Sequence, residues 1–312
     1  MSSTAASTFR GRLEAADVYF GPSACRSWVF SADATSDTDS EYIDLNYINE
    51  EGVEVLGYVW FNVAGAGTDP APAGKTGIAE VAYAEDASGD TRANALITAL
   101  DALVTRPLFF YEKSTTATVV IDNAYPGAVT AETESGSSNI VEAELRAGAG
   151  GLLGPTKEAI SVSTETSLFD VTSNQTGELI IDRIIQGSNV SLSAAFLDVS
   201  AANKEVLIGR GAGDTITSGS NTIVGIGKSK LFQNTSDLGG RLILHPIRLD
   251  RTDRSADLCI WSTFPSLEEI PYDGTDTQAL SVSFSANLDE SRKDEINLAT
   301  FGTEWISNDV LV

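Results

Sequence analysis

Histidine is almost missing from this chain: His245 is the only one in 312 residues. Most nucleophilic and acid/base sites rely on an imidazole, so a hydrolytic triad or proton shuttle has one place to form. His245 lies in the run Gly240 to Leu249, where period-two alternation puts it on the side of Ile243 and Ile247. No strained nucleophile turn accompanies it, and it reads as a satisfied, half-buried strand histidine. Cysteine is nearly as scarce. Cys25 and Cys259 lie far apart and form no CxxC or Cys/His spacing, which leaves a structural zinc without ligands and makes both buried free thiols. No run of about 18 apolar residues occurs, and Met1 to Arg12 lacks the apolar centre of a signal peptide. Nothing directs the chain into a membrane. Basic residues number 20 against 44 acidic ones, a net charge of −24. That charge repels phosphate backbones and anionic bilayers, and so excludes ordinary nucleic-acid binding.

What remains is the composition of a folded chain, 42% hydrophobic and 21% charged. The charge is uneven. Residues 31 to 150 hold 20 acidic and 5 basic side chains, a net of −15, and the rest of the chain carries the other −9. Two compositional units follow. The first opens at Trp28-Val29-Phe30. Apolar runs Tyr42 to Ile48 and Val53 to Val63 flank Asn49-Glu50-Glu51-Gly52, the pattern of a hairpin with a four-residue loop. Prolines and glycines from Ala64 to Gly77 exclude regular structure there. A helix follows: Asp90 is placed to cap it, Ala93, Leu96, Ile97, Leu100, Leu103 and Val104 recur at helical spacing, and Pro107 stops it. Strands over Thr118 to Ile121 and Ile140 to Leu145 complete an α+β unit, closed by Gly148, Gly150 and Gly151.

The second unit is a succession of strands. Ile160 to Val171 and Glu178 to Ile185 read as a long hairpin across Thr172 to Gly177. Ser200 is placed to cap a short helix, and strands recur around Ile223, Arg241 to Leu249, Asp257 to Phe264 and Leu280 to Ala286. The pattern is mainly β: an antiparallel sandwich or barrel with one short helix, plus an inserted α+β domain.

Chemistry-bearing motifs are weak. Gly225-Ile-Gly-Lys-Ser229 resembles the end of a phosphate loop, but Thr222 stands where its first glycine belongs. Asp37, Asp39 and Glu41 alternate as calcium ligands do, yet Tyr42 and Ile48 replace the turn glycine and the bidentate acid. Gly209 to Asp214 reads as a helix terminator rather than an anion nest. No cofactor or metal is expected, and the chain does not read as an enzyme. Arg241, Arg248, Arg251 and Arg254 bracket the strand through His245, interleaved with Asp250, Asp253 and Asp257. An ion-pair network, within or between subunits, is the expectation, and these four arginines are the interface candidates.

The order of segments in the second unit carries a resemblance. Gly154-Pro155, Ile160-Ser-Val-Ser-Thr-Glu-Thr166, Asp170 to Gly177, a helix, Arg241-Leu-Ile-Leu-His-Pro246, Asp257 to Pro265 and Leu280 to Ala286 together resemble the tail tube protein, or major tail protein, of tailed bacteriophages. The resemblance covers residues 152 to 312, with Asp17 to Pro22 supplying the first strand. Tyr58 to Pro70, Gly74 to Ile78 and the helix are similar to a small α+β module that recurs in phage structural proteins. The expected division is therefore 1–30, an N-terminal arm and first strand; 31–150, the insert; and 151–312, the tube domain.

The resemblance implies a protomer that forms stacked rings, usually hexameric, around a channel through which DNA passes without specific binding. Its partners would be further copies of itself and other tail proteins, and its place the virion after synthesis in the host cytoplasm. Ring closure would pair exposed strand edges, and an acidic lumen would repel DNA. Glu165, Glu178 and Asp182 on the long hairpin are the lumen candidates; Met1 to Arg12 and Phe301 to Val312 are candidates for contacts between rings. The insert would sit outside the tube. The alternatives are an adhesin or carbohydrate-binding module and other virion parts, a capsid decoration or tail-completion protein; Trp60 and Trp261, which could stack on sugars, lie within apolar patterns and are expected in the core.

Overall fold

The computed structural model of the chain describes residues 5–12, 15–31, 40–103, 109–115, 117–131, 134–135, 140–172, 180–197, 200, 203–204, 206–207, 213–218, 221–226, 234–269, 279–287 and 299–301. Strands dominate, and among the described residues every pairing is antiparallel but that of β7 (Gly57–Val63) with β8 (Thr76–Tyr83). Alternation of small polar and apolar residues, as in Leu280-Ser-Val-Ser-Phe-Ser285, dictates strands with one face dry and one wet.

The largest sheet has nine strands: β1 (Ala5–Arg12), β2 (Ala16–Gly21), β13 (Gly151–Pro155), β14 (Ser161–Thr172), β15 (Ile180–Phe196), β18 (Gly240–Pro246), β19 (Leu258–Glu269), β20 (Leu280–Asn287) and β21 (Ala299–Phe301). Their order is β1-β14-β15-β20-β19-β18-β2-β13, with β21 beside β19. The sheet wraps a core that includes Val18, Phe20, Leu192, Phe196, Leu242, Ile260, Leu280 and Phe284. Among the described residues it does not close into a barrel. One bridge, Thr156 to Phe196, joins the end of β13 to β15, with Lys157 N–H donating to the Ala195 carbonyl at 2.7 Å beside it. The segment expected as a loose N-terminal arm is strand β1 from Ala5 onward, paired along β14 from Arg12↔Ser161 to Ala5↔Ser167. A free backbone edge on β14 recruits it.

The chain leaves this sheet after Gly21 and rejoins it at Gly151. Between these points lie two four-stranded sheets. One orders β12 (Ile140–Arg146), β3 (Cys25–Phe30), β10 (Thr118–Asn123) and β9 (Phe109–Thr115); the other orders β11 (Glu134–Ser135), β4 (Tyr42–Asp44), β7 (Gly57–Val63) and β8 (Thr76–Tyr83). Strand β3 thus belongs to the inserted unit, and the change of sheet falls before Cys25 rather than after residue 30. The expected hairpin forms as β5 (Tyr47–Ile48) and β6 (Glu54–Val55), with Gly52 at φ 72° in the turn. The Gly/Pro segment ends at Lys75, because Thr76 starts β8 parallel to β7, and a parallel neighbour needs a long crossover. A core that includes Trp28, Phe61, Val81 and Leu96 fills the space between these sheets and the helix.

That helix, α1 (Gly89–Asp101), is capped by Ser88 rather than Asp90: the Thr91 N–H donates to Ser88 Oγ at 3.2 Å. Asp90 stands in the first turn, where its charge suits the helix dipole. Ser88→Ala is expected to cost about 1 kcal/mol, read as a lower urea midpoint with unchanged slope. The two passages between units lie side by side, held by Ala149 N–H donating to the Pro22 carbonyl at 3.0 Å. A Cβ on Gly21 would meet the Ala149 carbonyl oxygen at 2.1 Å, and one on Gly150 the Phe20 oxygen at 2.1 Å. Side chains there would force the passages apart.

Candidate assembly surfaces

The insert seats on the outer face of β2, β18 and β19. Tyr19, Ile243, Cys259 and Trp261 from the large sheet pack with Ile48, Phe110, Ala124 and Tyr125 from the insert. Phe110 and Trp261 meet edge to face at 5.6 Å. Through this dry layer runs Arg241, 5% exposed. Its Nη2 donates to Asp122 Oδ2 at 2.7 Å, and its Nη1 donates to the carbonyls of Asn123 and Ala124 at 2.7 and 2.8 Å. The guanidinium lies over the rings of Phe110 and Trp261, a planar cation between π faces. Asp122 also accepts from Arg146 Nη2 at 2.9 Å and from Ser23 Oγ at 2.5 Å. Burial alone would raise its pKa; Arg241, Arg146 and the Ser23 hydroxyl outweigh burial and hold it below the ordinary carboxylate value. Nearby, burial reinforced by Asp122 pushes the Cys25 thiol up to about 12, so it stays protonated and unreactive.

A second grip comes from the loop between β18 and β19. Arg254, 1% exposed, donates to Glu50 in the turn of the insert's hairpin and lies over the Tyr125 ring. The Tyr19 hydroxyl donates to the Glu50 backbone carbonyl. Arg251 donates to Asp17 at 3.1 Å. At the base of the loop, His245 Nδ1 stands 2.7 Å from Asp257 Oδ1, both residues buried.

A different surface lies on β14, β15, β20 and distal β19. Serines stand in register across it: Ser161, Ser193, Ser283 and Ser266 form one row, and Ser163, Ser191 and Ser285 another. They point away from the core that Val162, Leu192, Val282 and Phe284 fill. Further along, the β14–β15 hairpin outruns its neighbours. β1 covers β14 only to Ser167, and β20 covers β15 only from Ser191. The bulge beside Gly187 bends the ladder there. Beyond it Phe169 pairs with Ile184 and Leu168 with Ile185; Phe169, Ile184 and Ile185 are 49, 53 and 69% exposed. Adjacent strand positions face opposite ways, so both faces of the projecting segment carry apolar side chains. Asp170 and Arg183 form an exposed ion pair across it at 3.0 Å.

The sequence-derived candidates fall into these two surfaces. Glu165 continues the serine face, exposed opposite Asn189; Asp182 is exposed opposite Val171; Glu178 lies outside the described residues. Arg241 and Arg254 are buried between the chain's two units, Arg251 is half-buried on Asp17, and Arg248 is exposed. The carboxylates that Arg241, Arg251 and Arg254 reach lie outside their own segment. Asp257 bonds His245, and Asp250 accepts from Thr252 N–H at 3.0 Å. Asp37, Asp39, Gly209 and Lys228 lie outside the described residues, and Gly225 sits in β17 (Asn221–Ile226), paired with β16 (Gly213–Ser218). Trp60 and Trp261 are buried, as expected. The residues missed were Asp122, Ser23 and Arg146; an acid ending the apolar run Val119-Val-Ile-Asp122 was the available signal.

No protein-family profile matches this chain, and no curated protein matches it. No helix among the described residues is long and apolar enough to cross a membrane.

Proposed function

We propose that this chain is a structural virion protein that assembles with copies of itself into the stacked rings of a phage tail tube. The observation that carries the reading is the β14–β15 hairpin. It extends past its own sheet with Phe169, Ile184 and Ile185 exposed, and none of the described strands pairs with its outer edges. Such a ribbon is marginal alone in water and a ready template for another chain. A neighbouring protomer that pairs with it satisfies the backbone and covers the apolar side chains, and head-to-tail repetition closes a ring. The adjoining serine face, with Glu165 and Asp182 beside it, offers passing DNA hydroxyls and negative charge, without the clustered cations that would hold phosphates. The insert seats on β2, β18 and β19, a different stretch of the sheet, and so leaves the serine face open. The tube-type sandwich, a hexameric ring and a non-enzymatic role belong to this proposal.

The test is negative-stain electron microscopy of the full chain, concentrated at moderate salt so that its charge of −24 is screened. Rings or hollow tubes of uniform width are expected. The triple variant Phe169→Ser, Ile184→Ser, Ile185→Ser should stay monomeric by light scattering and keep the parent's unfolding transition. Monomers of the parent at every salt and concentration, or tubes from the triple variant, would overturn the reading.

A further inference from the structure

The only imidazole of the chain sits under the loop that grips the insert. His245 ends β18 and Asp257 precedes β19, so their hydrogen bond at 2.7 Å ties together the two ends of loop 247–257. Because an ionised carboxylate only accepts, Nδ1 carries a proton in either charge state of the ring. The backbone carbonyl of Leu249, inside the loop, also favours the cation. Nε2 of the ring and Oδ2 of Asp257 are both buried without a hydrogen-bond partner among the described residues, so loss of the ring's charge would leave the Asp257 carboxylate buried against a single neutral donor, an uncompensated charge in the joint.

Among the described residues, Asp257, Asp17 and Asp250 bear on the ring's proton. Asp257 accepts from it; Asp17 lies opposite it on β2 and takes the Arg251 guanidinium; Asp250 stands in the loop. From the insert, Glu50 holds Arg254 and the Tyr19 hydroxyl holds the Glu50 carbonyl. The hydrogen bond with Asp257 raises the His245 pKa, burial opposes it, and Asp17 adds to the rise. Since the folded value exceeds the unfolded one, the stabilisation is full below the ordinary histidine value. It fades as pH climbs through the raised value.

We propose that loop 247–257 is a pH-sensitive clasp on the insert, closed while His245 carries its proton and loosened when that proton leaves. Arg254 is the element that transmits the change, because it is the loop's buried contact with the insert's hairpin turn. The clasp concerns the joint within one chain and does not depend on assembly.

Proton NMR of the full chain isolates the ring, because no second histidine contributes. Its midpoint should lie above that of free histidine and fall in Asp257→Asn. Hydrogen exchange should report the clasp. The Asp253 and Asp257 amides in the loop and the Gly52 amide in the insert all bond to backbone carbonyls. Corrected for intrinsic rate, their protection should drop about tenfold or more as pH climbs from below the ordinary histidine value to above the midpoint that the ring itself shows by NMR. In His245→Gln it should be flat across that range. An imidazole midpoint at or below the free value overturns the proposal, and so does an unchanged pH course of exchange in His245→Gln. The first measurement needs no variant, so a variant that fails to fold leaves the proposal open to refutation.

Discussion

Asp122→Ala should lower the unfolding free energy by about 3–5 kcal/mol, the usual cost of breaking a buried ion pair from one side. The carboxylate is 1% exposed and is shared by Arg241, Arg146 and Ser23. Its removal leaves the Arg241 guanidinium in a layer of Phe110 and Trp261 rings with only two carbonyls as acceptors. Urea titration at neutral pH gives the value. Asp170→Ala is the control: it breaks an exposed pair with Arg183 and should cost no more than about 1 kcal/mol. Equal effects at the two positions would show that the junction does not depend on its charge pair. Acid provides a second readout with a definite sign. The fold depresses the Asp122 pKa, so its contribution is complete above the unfolded value and is lost as pH falls through the folded one. The parent should therefore lose stability at acid pH more steeply than Asp122→Asn, which has no proton to take up.

The sequence was legible where one local rule decides the structure. In β14 and β20 the serines alternate with Val and Phe, and a period of two leaves no other arrangement once one face is dry; β15, expected only to Ile185, continues to Phe196 with the same alternation at Ser191 and Ser193. The helix was equally plain apart from its ends: Ser88 and Asp90 are both good capping residues, and the backbone conformation chose between them, while the helix stops at Asp101, short of Leu103. Sheet membership was not legible. Cys25–Phe30 has the composition of any buried strand, and its place between β10 and β12 follows from registers set about a hundred residues away. The same holds for the junction. Arg241 is one of four arginines interleaved with nearby acids, but the carboxylate it bonds is 119 positions distant, beyond any periodicity. The glycines at Gly148, Gly150 and Gly151 announced a boundary without showing why: a Cβ on Gly150 would meet the Phe20 oxygen and one on Gly148 the Gly127 oxygen, whereas Gly151 has open space and is set apart by its φ of 138°.

Excising residues 22–150 should abolish soluble monomer, although geometry favours the cut. Gly21 and Gly151 lie at neighbouring ends of β2 and β13, where Phe20 pairs with Gly151, so a two-residue hairpin turn spans the gap. The obstacle is the face left behind. Tyr19, Ile243, Cys259 and Trp261, each no more than 4% exposed in the whole chain, would form a contiguous apolar patch of the kind that drives association. Arg241 would stand among them without its carboxylate. The excised protein is expected in the insoluble fraction, and Tyr19→Thr, Ile243→Thr and Trp261→Thr together should return it to solution, since Thr suits an exposed strand face. A soluble, monodisperse product without those substitutions would sink the argument. Recovery through them would mean that the large sheet folds by itself and that the insert is its lid on this face. The hairpin tip with Phe169, Ile184 and Ile185 lies elsewhere on the sheet, so the rescued protein should still assemble if that tip is the joint between protomers.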